Sequence, residues 1–423
     1  MPIRPIVAII GGTIWGNRGA EAMLTTTIGK VRAMRPGASI IVFSYYPNRD
    51  RQLVRDENIT ILSNRPASLV VRHLPSALLC GLLRRVGIRL PDGLLSRPVR
   101  ALRRCHVLLD ISGISFADGR EKTLPFNILN IWPAMLVGVP VVKLAQALGP
   151  FNNPVNRAAA RLFLPRCQRI FARGAASAAH LEALPLPPDR WEQAPDVAFL
   201  YEPGFSLSVE NEDRVSALEA ELARLAQSGC QIVGLVPSSL VYEESARRGH
   251  DYVGQFVRLI DELGPSHHFV ALPNATREAT GRAFNNDLVV IEALERRAAG
   301  SLPPEALGRL HIVSYDINTA ASRQLLARCD VVVTSRFHGM VSSLSLGIPT
   351  VVVGWGHKYE EILAAFGMEQ FAVDFNDPAL DIPALVRGVQ AQRDSIRERL
   401  RAGLAAVQAQ AARQFDYVEK LLP

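Results

Sequence analysis

Ten short apolar runs rich in valine and isoleucine, set in a repeating order of strand, polar turn and helical segment, constrain this 423-residue chain more than any other feature. The first five are PIVAII, SIIVFSY, CHVLLDIS, VPVVKLAQ and RIFARG, and the last five are QIVGLVP, HHFVALP, LHIVSY, DVVVTS and TVVVGW. A strand that is apolar throughout, without alternation, is buried on both faces, which is the condition of a parallel sheet covered by helices. The expected fold class is therefore α/β, built from two doubly wound, Rossmann-like domains. A single core does not extend over this length, and the polar stretch 202–213, EPGFSLSVENED, reads as the linker. The expected domains are 1–205 and 214–423, the second ending in an amphipathic helix over 390–422 that closes the structure.

Charge divides along the same line. Residues 1–205 carry 26 Lys and Arg against 13 Asp and Glu, whereas the remainder carries 21 against 27. A basic first half suits either attraction between domains or recruitment of an anionic ligand. The composition, 48% apolar and 21% charged, is that of a folded chain and excludes a disordered one. The five cysteines form neither a CxxC nor a disulfide-like spacing, so neither zinc nor another metal is expected, and a reducing, cytoplasmic compartment is. The apolar run IVAII is too short for a signal peptide, and the stretch 128–142 too short for a membrane span; the latter reads as a helix followed by a buried strand. From Arg72 to Arg104, however, eight arginines accompany a single acid, Asp92, with leucines at near-helical spacing. This segment reads either as a solvated helical face or as a peripheral contact with an anionic membrane. Nothing in the pattern calls for nucleic acid as a partner.

The chemistry concentrates at DVVVTSRFHGMVSSLSLGIP, residues 330–349, where a buried strand gives way through Ser335, Arg336, Phe337, His338 and Gly339 to an apolar helix. The N-terminus of such a helix attracts anions. Arg336 adds a planar fork suited to carboxylate or phosphate, and His338 a group that donates a proton near neutral pH. Gly339 permits close backbone approach. The structural alternative is that Arg336 pairs with a buried acid while His338 caps the helix. Lys358, after the next strand, is a candidate second phosphate contact. In the first half, GGTIWGNRGAEA is a glycine-rich turn with Asn17, Arg18 and Glu21 at its tip; it fits neither GxGxxG nor a P-loop. Asp118 and Arg173 follow further strands, and Asp118 or Glu21 could serve as a base or merely as a helix cap.

Together these segments resemble the polysaccharide pyruvyl transferase family. The matching stretches are GNRGAEA, SGISFADG, GVPVVKLAQALGPF, FARGAAS, PDVAFLY and, above all, SRFHGMVSSLSLGIPTVVVGWGHKYEEIL, in order from about residue 10 to 365. The resemblance implies a GT-B-like fold of two Rossmann-like domains facing across a cleft, acceptor on the N-terminal side and donor on the C-terminal side. It implies transfer of the enolpyruvyl group of phosphoenolpyruvate to two hydroxyls of one sugar of a surface polysaccharide or its lipid-linked precursor, with no cofactor beyond that co-substrate. Carried over residue by residue, Arg336 and His338 become the catalytic pair and Arg173 a further donor contact, beside Ser335, Gly339 and Lys358, which the residues themselves offer as donor contacts. Asn17, Arg18, Glu21 and Asp118 are left for the acceptor. Gly174 and Ala20 stand where the family commonly has acids. The alternative on the same fold is a glycosyltransferase with a nucleotide-sugar donor, although the helix after Gly339 lacks the acid such enzymes usually place there.

Overall fold

The computed structural model describes residues 4–208, 211–277, 285–355 and 357–423, with the side chains of residues 357 and 358 outside that description. Each of the ten apolar runs forms a strand. In the first sheet these are β1 (Ile6–Ile10), β2 (Ser39–Ser44), β4 (Val107–Asp110), β6 (Val141–Leu148) and β7 (Arg169–Ala172), joined by β3 (Ile59–Ser63), β5 (Ile114–Ser115) and β8 (Trp191–Gln193). Their order is β3-β2-β1-β4-β6-β7-β8, with β5 paired to β6, and every pairing is parallel. The second sheet holds β9 (Gln231–Val236), β10 (His267–Ala271), β11 (Leu310–Ile312), β12 (Val331–Thr334), β13 (Thr350–Gly354) and β14 (Ala372–Asp374) in the order β11-β10-β9-β12-β13-β14. Numbered from its own start, this is the 3-2-1-4-5-6 order of a dinucleotide-type sheet, also parallel throughout. The four strands that the apolar pattern does not mark are β3, β8 and β14, at sheet edges, and the two-residue β5. At these three edges, and in a two-residue strand, too little is buried to write a continuous apolar run, whereas the edge strand β11 is marked.

The chain separates into two compact units. The first comprises Met1–Trp15, Ala20–Ser208 and Gln408–Pro423, and the second comprises Gly16–Gly19 and Val209–Val407. The sequence reading placed the whole C-terminal helix with the second domain, but the end of helix Arg393–Glu419 groups with the first. The cause is a set of buried polar ties. Gln414, wholly buried, accepts from the Ala145 amide at 2.8 Å and donates to the Pro195 carbonyl at 2.9 Å, and Gln408 donates to the Phe199 carbonyl at 3.1 Å. Phe415 and Val418 are buried beside these ties. Within the first sheet Lys143 of β6 is fully buried and pairs with Asp110 of β4, so that neither charge is left unmatched in the core.

The arginine-rich segment is helical. Pro66–Ser68, a π turn over Leu69–His73 and helix Leu74–Arg85 form one continuous stretch. It is the one helical stretch among the described residues long and apolar enough to cross a membrane by length and composition. It lies on helix Leu124–Val137, whose left-handed cap is Gly138 and which runs through Pro133 as expected for a helix preceding a buried strand. His73 closes the π turn with its ring against Phe43, centroids 5.9 Å apart. Burial, opposed by a hydrogen bond to the Ser63 backbone, pushes its imidazole down to about 4.

A base whose folded pKa is depressed stabilises the fold fully above its unfolded pKa, and that stability is lost as the pH falls below it. The first unit should therefore lose a few kcal/mol between about pH 6.5 and pH 4, at about 1.4 kcal/mol per pH unit from this group. In His73→Leu that part of the slope should vanish. Urea midpoints at pH 7 and pH 4.5 for both proteins check the difference, and parallel slopes would refute the assignment.

Candidate active site at the carboxyl edge of the second sheet

In the second sheet the strand order reverses between β9 and β12, which is where an open α/β sheet binds its ligands. Arg336 follows β12 at that point as the N-cap residue of helix Phe337–Ser345. Its side chain is buried, and its guanidinium is engaged on three sides. Nε donates to Asp287 at 3.1 Å and Nη2 donates to the same oxygen. Nη1 donates to Asn285 at 2.7 Å and Nη2 also to the Ser239 hydroxyl at 3.2 Å. Of the two alternatives open from sequence, pairing with a buried acid is the one found.

Asp287 is fully buried and does more than pair with Arg336. Its carboxylate accepts from the amide of Ser239 at 3.0 Å, of Asn274 at 3.1 Å and of Ala275 at 2.8 Å. Ser239 follows β9, Asn274 and Ala275 follow β10, and Arg336 follows β12, so one carboxylate ties together the carboxyl ends of three adjacent strands. Sequence reasoning missed Asp287, Asn285 and Ser239. The segment NNDLVV offers a helix-capping aspartate and nothing more, because its partners lie 12 to 49 residues away.

Ser335 is buried, with its hydroxyl 2.6 Å from that of Tyr252 and its carbonyl 3.5 Å from the Tyr359 hydroxyl. Burial raises the Tyr252 phenol above its ordinary range despite the Ser335 hydrogen bond. Ser335 thus props the turn and does not present its hydroxyl to a donor. Gly339 also has a structural reason. A Cβ there would come within 2.5 Å of the Thr334 hydroxyl and 3.2 Å of Val236, so glycine lets the helix sit against β9 and β12, and the close approach is by the protein itself. His338 is half-buried in the first turn of the helix, with its ring edge-to-face against Phe337 at 5.1 Å. Gly19 lies against the same imidazole: a Cβ at Gly19 would fall 2.1 Å from Nδ1. The Lys358 side chain lies outside the described residues.

The expected acceptor residues are held by the protein. Asn17 accepts from the Gly19 amide at 2.9 Å and caps helix Arg18–Met34. Arg18 is buried and donates to the Ile317 carbonyl at 2.5 Å, with Asp316 at 3.7 Å. Its amide donates to Asn274 at 2.9 Å and its carbonyl accepts from Thr319 at 2.8 Å. These bonds account for Gly16–Gly19 grouping with the second unit. Glu21, in the first unit, is buried and accepts from Ser208 at 3.3 Å. Asp118 accepts from the amides of Asn152 at 2.6 Å and Asn153 at 3.0 Å and from the Asn156 side chain at 2.7 Å. Desolvation works against it, yet these donors hold its carboxyl below the usual carboxylate range, which makes it a poor base.

Arg173 belongs to the first unit, following β7, and is buried against the fully buried Asp196 at 2.7 Å. It is therefore not gathered with Arg336 inside one unit. Gly174 next to it has φ +85°, a left-handed value that an acidic side chain would strain, so an acid does not fit this backbone. A further carboxylate that sequence missed, Asp50, shapes the glycine turn. It accepts from the amides of Ile14 at 3.1 Å and Trp15 at 2.9 Å and from the hydroxyls of Thr13 and Ser44. Burial still raises its carboxyl.

Removing Asp287 would leave Arg336 charged in a buried site and three amides without an acceptor. Asp287→Ala should cost about 3–5 kcal/mol of stability in the second unit, with faster amide exchange at Ser239, Asn274 and Ala275. A loss below about 1 kcal/mol, the scale of a surface ion pair, would show that the hub is not structural.

Three comparisons bear on what this scaffold serves. Over 98% of this chain and 100% of theirs, it superposes on UDP-GlcNAc 2-epimerase from Neisseria meningitidis with a TM-score of 0.56 at 12% identity. A putative UDP-N-acetylglucosamine 2-epimerase from Listeria monocytogenes gives a TM-score of 0.54 at 11% identity, covering 97% of this chain and 94% of that one. Likeness at such identities speaks for the fold, which is GT-B-like with two Rossmann-like units. In sequence, the chain is 21% identical over 415 residues to the amylovoran biosynthesis protein AmsJ of Erwinia amylovora, covering 93% of this chain and 94% of that protein. The family profile "Polysaccharide pyruvyl transferase" matches residues 17–357, from the Asn17 cap through the Arg336–His338 turn, and the chain therefore belongs to the polysaccharide pyruvyl transferase family, transferases of polysaccharide biosynthesis.

Proposed function

We propose that the protein transfers the enolpyruvyl group of phosphoenolpyruvate to two hydroxyls of one sugar unit, forming a pyruvate ketal and releasing phosphate. The supporting observation is one juxtaposition: His338 stands in the first turn of a helix, two residues past a buried arginine, at the switch point of the second sheet. The first-turn amides of that helix suit an anion, and phosphoenolpyruvate carries two anionic groups. In this reading His338 donates a proton to C3 of the donor. C2 becomes electrophilic and takes one sugar hydroxyl; phosphate leaves with its bonding electrons, and the second hydroxyl closes the ketal. Of the two hydroxyl protons, one balances that gained by C3 and the other leaves with phosphate. Arg336, held by Asp287, keeps the helix N-terminus positioned and the site electropositive. No cofactor enters the scheme. The acceptor is a polysaccharide or its precursor, and the reaction runs in the cytoplasm.

His338→Ala should keep donor affinity within a few fold and lower turnover by roughly 10²-fold or more; turnover at the wild-type rate would remove the proton-donor role. Arg336→Lys keeps the charge but loses the forked ties to Asp287, Asn285 and Ser239 that hold the helix N-terminus in place, so it should weaken phosphoenolpyruvate binding about tenfold, an affinity loss of about 1.4 kcal/mol. Calorimetric titration with phosphoenolpyruvate, run beside a panel of UDP- and GDP-sugars, tests the whole reading. Binding of a nucleotide-sugar without phosphoenolpyruvate would overturn it in favour of glycosyl transfer.

A further inference from the structure

Helix Leu74–Arg85 is built inside out for a helix on a globular surface. The side turned to the protein carries small residues: Ala77, Cys80 and Gly81 are buried. A Cβ on Gly81 would meet the Leu136 carbonyl at 3.0 Å, so the helix lies close on Leu124–Val137. Its large apolar side chains point away. Val71 is 71% exposed and Leu82 62%, with Leu78, Leu79 and Val86 exposed along the same stretch. An ordinary amphipathic helix buries its leucines and exposes its charges, and exposed apolar patches of this extent mark interaction sites.

The exposed leucines border an open groove of about 480 Å³, whose floor and far wall are Trp132, Leu136 and Leu162. A second depression of about 350 Å³ adjoins it around Trp132 and Met135, and there the rim is Arg84, Arg85 and Arg166. Asp92, the one acid between Arg72 and Arg104, is paired with Arg103 and Arg104. The other six arginines of that segment have no acid of their own segment to neutralise them. An exposed apolar stripe bordered by guanidinium groups that pair with no acid among the described residues complements one surface: hydrocarbon beneath a layer of phosphate headgroups. The stretch does not span the bilayer, because crossing would strip Ala77, Cys80 and Gly81 from the helix they pack against.

We propose that this face is a membrane-docking surface for an anionic bilayer. Leu78, Leu79 and Leu82 enter the acyl region, the groove beside them takes one acyl chain, and Arg84, Arg85 and Arg166 meet lipid phosphates. The inference is independent of the donor and of the reaction, and its test uses neither.

The full chain is mixed with vesicles of phosphatidylcholine alone or with phosphatidylglycerol added, and bound protein is separated by flotation at low and high salt. The expected result is binding to the anionic vesicles only, weakened by salt. Arg84→Glu, Arg85→Glu and Arg166→Glu combined should lower the partition coefficient at least tenfold. Leu78→Glu with Leu82→Glu should do the same while leaving circular dichroism and solubility unchanged or improved. Equal binding to neutral vesicles, or full binding by either variant, overturns the proposal. So does a wild-type dimer in light scattering that Leu82→Glu turns into a monomer without any vesicle binding, which would make the face a contact between copies of this chain.

Discussion

The buried ion pair between Arg336 and Asp287 is the interaction on which the candidate site depends. Each charge would be costly alone in that environment, and together they are stable because every side of the guanidinium and three backbone amides share the carboxylate and its neighbours. The arrangement fixes where three strands of the second sheet end. It also sets where helix Phe337–Ser345 begins, and therefore where His338 stands. A donor-binding role for Arg336 read directly from its fork is too simple, since most of that fork is already occupied by the protein.

The same economy recurs elsewhere. Asp50 gathers the amides of the glycine turn, Asp118 gathers those before helix Pro154–Phe163, Asp196 holds Arg173, and Asp110 holds Lys143. In each case a polar residue at or near a strand's carboxyl end, the position where this fold places ligands, is committed to backbone or to an opposite charge. Of the residues that a motif reading would assign to substrate, His338 remains half-buried in a helix first turn, while Arg18, Glu21, Ser335 and Arg173 are buried in the framework.

Much of the fold was legible because its physical cause is local. A strand buried on both faces must be apolar at every position, and the runs that meet this condition are the interior strands of both sheets, together with the edge strand β11. β3, β8 and β14 escaped because an edge needs less burial, and the grouping of the C-terminal helix end with the first unit escaped because it hangs on Gln408 and Gln414, residues with no pattern of their own. The family signature was legible for a related reason: the turn 334–339 keeps its chemistry within six consecutive residues. The hub beneath it was not, because Asp287 meets its partners only after the chain has returned from the ends of three strands.

Sequence alone determined the class of fold, the two-part organisation, the family and the position of the turn at 334–339, since each follows from residue order over a short window. Tertiary structure decided which of those polar residues hold the protein together. It also decided that the leucines of 74–85 face outward, because only packing shows that the other side of that helix is lined with alanine, cysteine and glycine. Spacing reports that a helix has two faces. Which face is buried depends on what the rest of the chain brings against it.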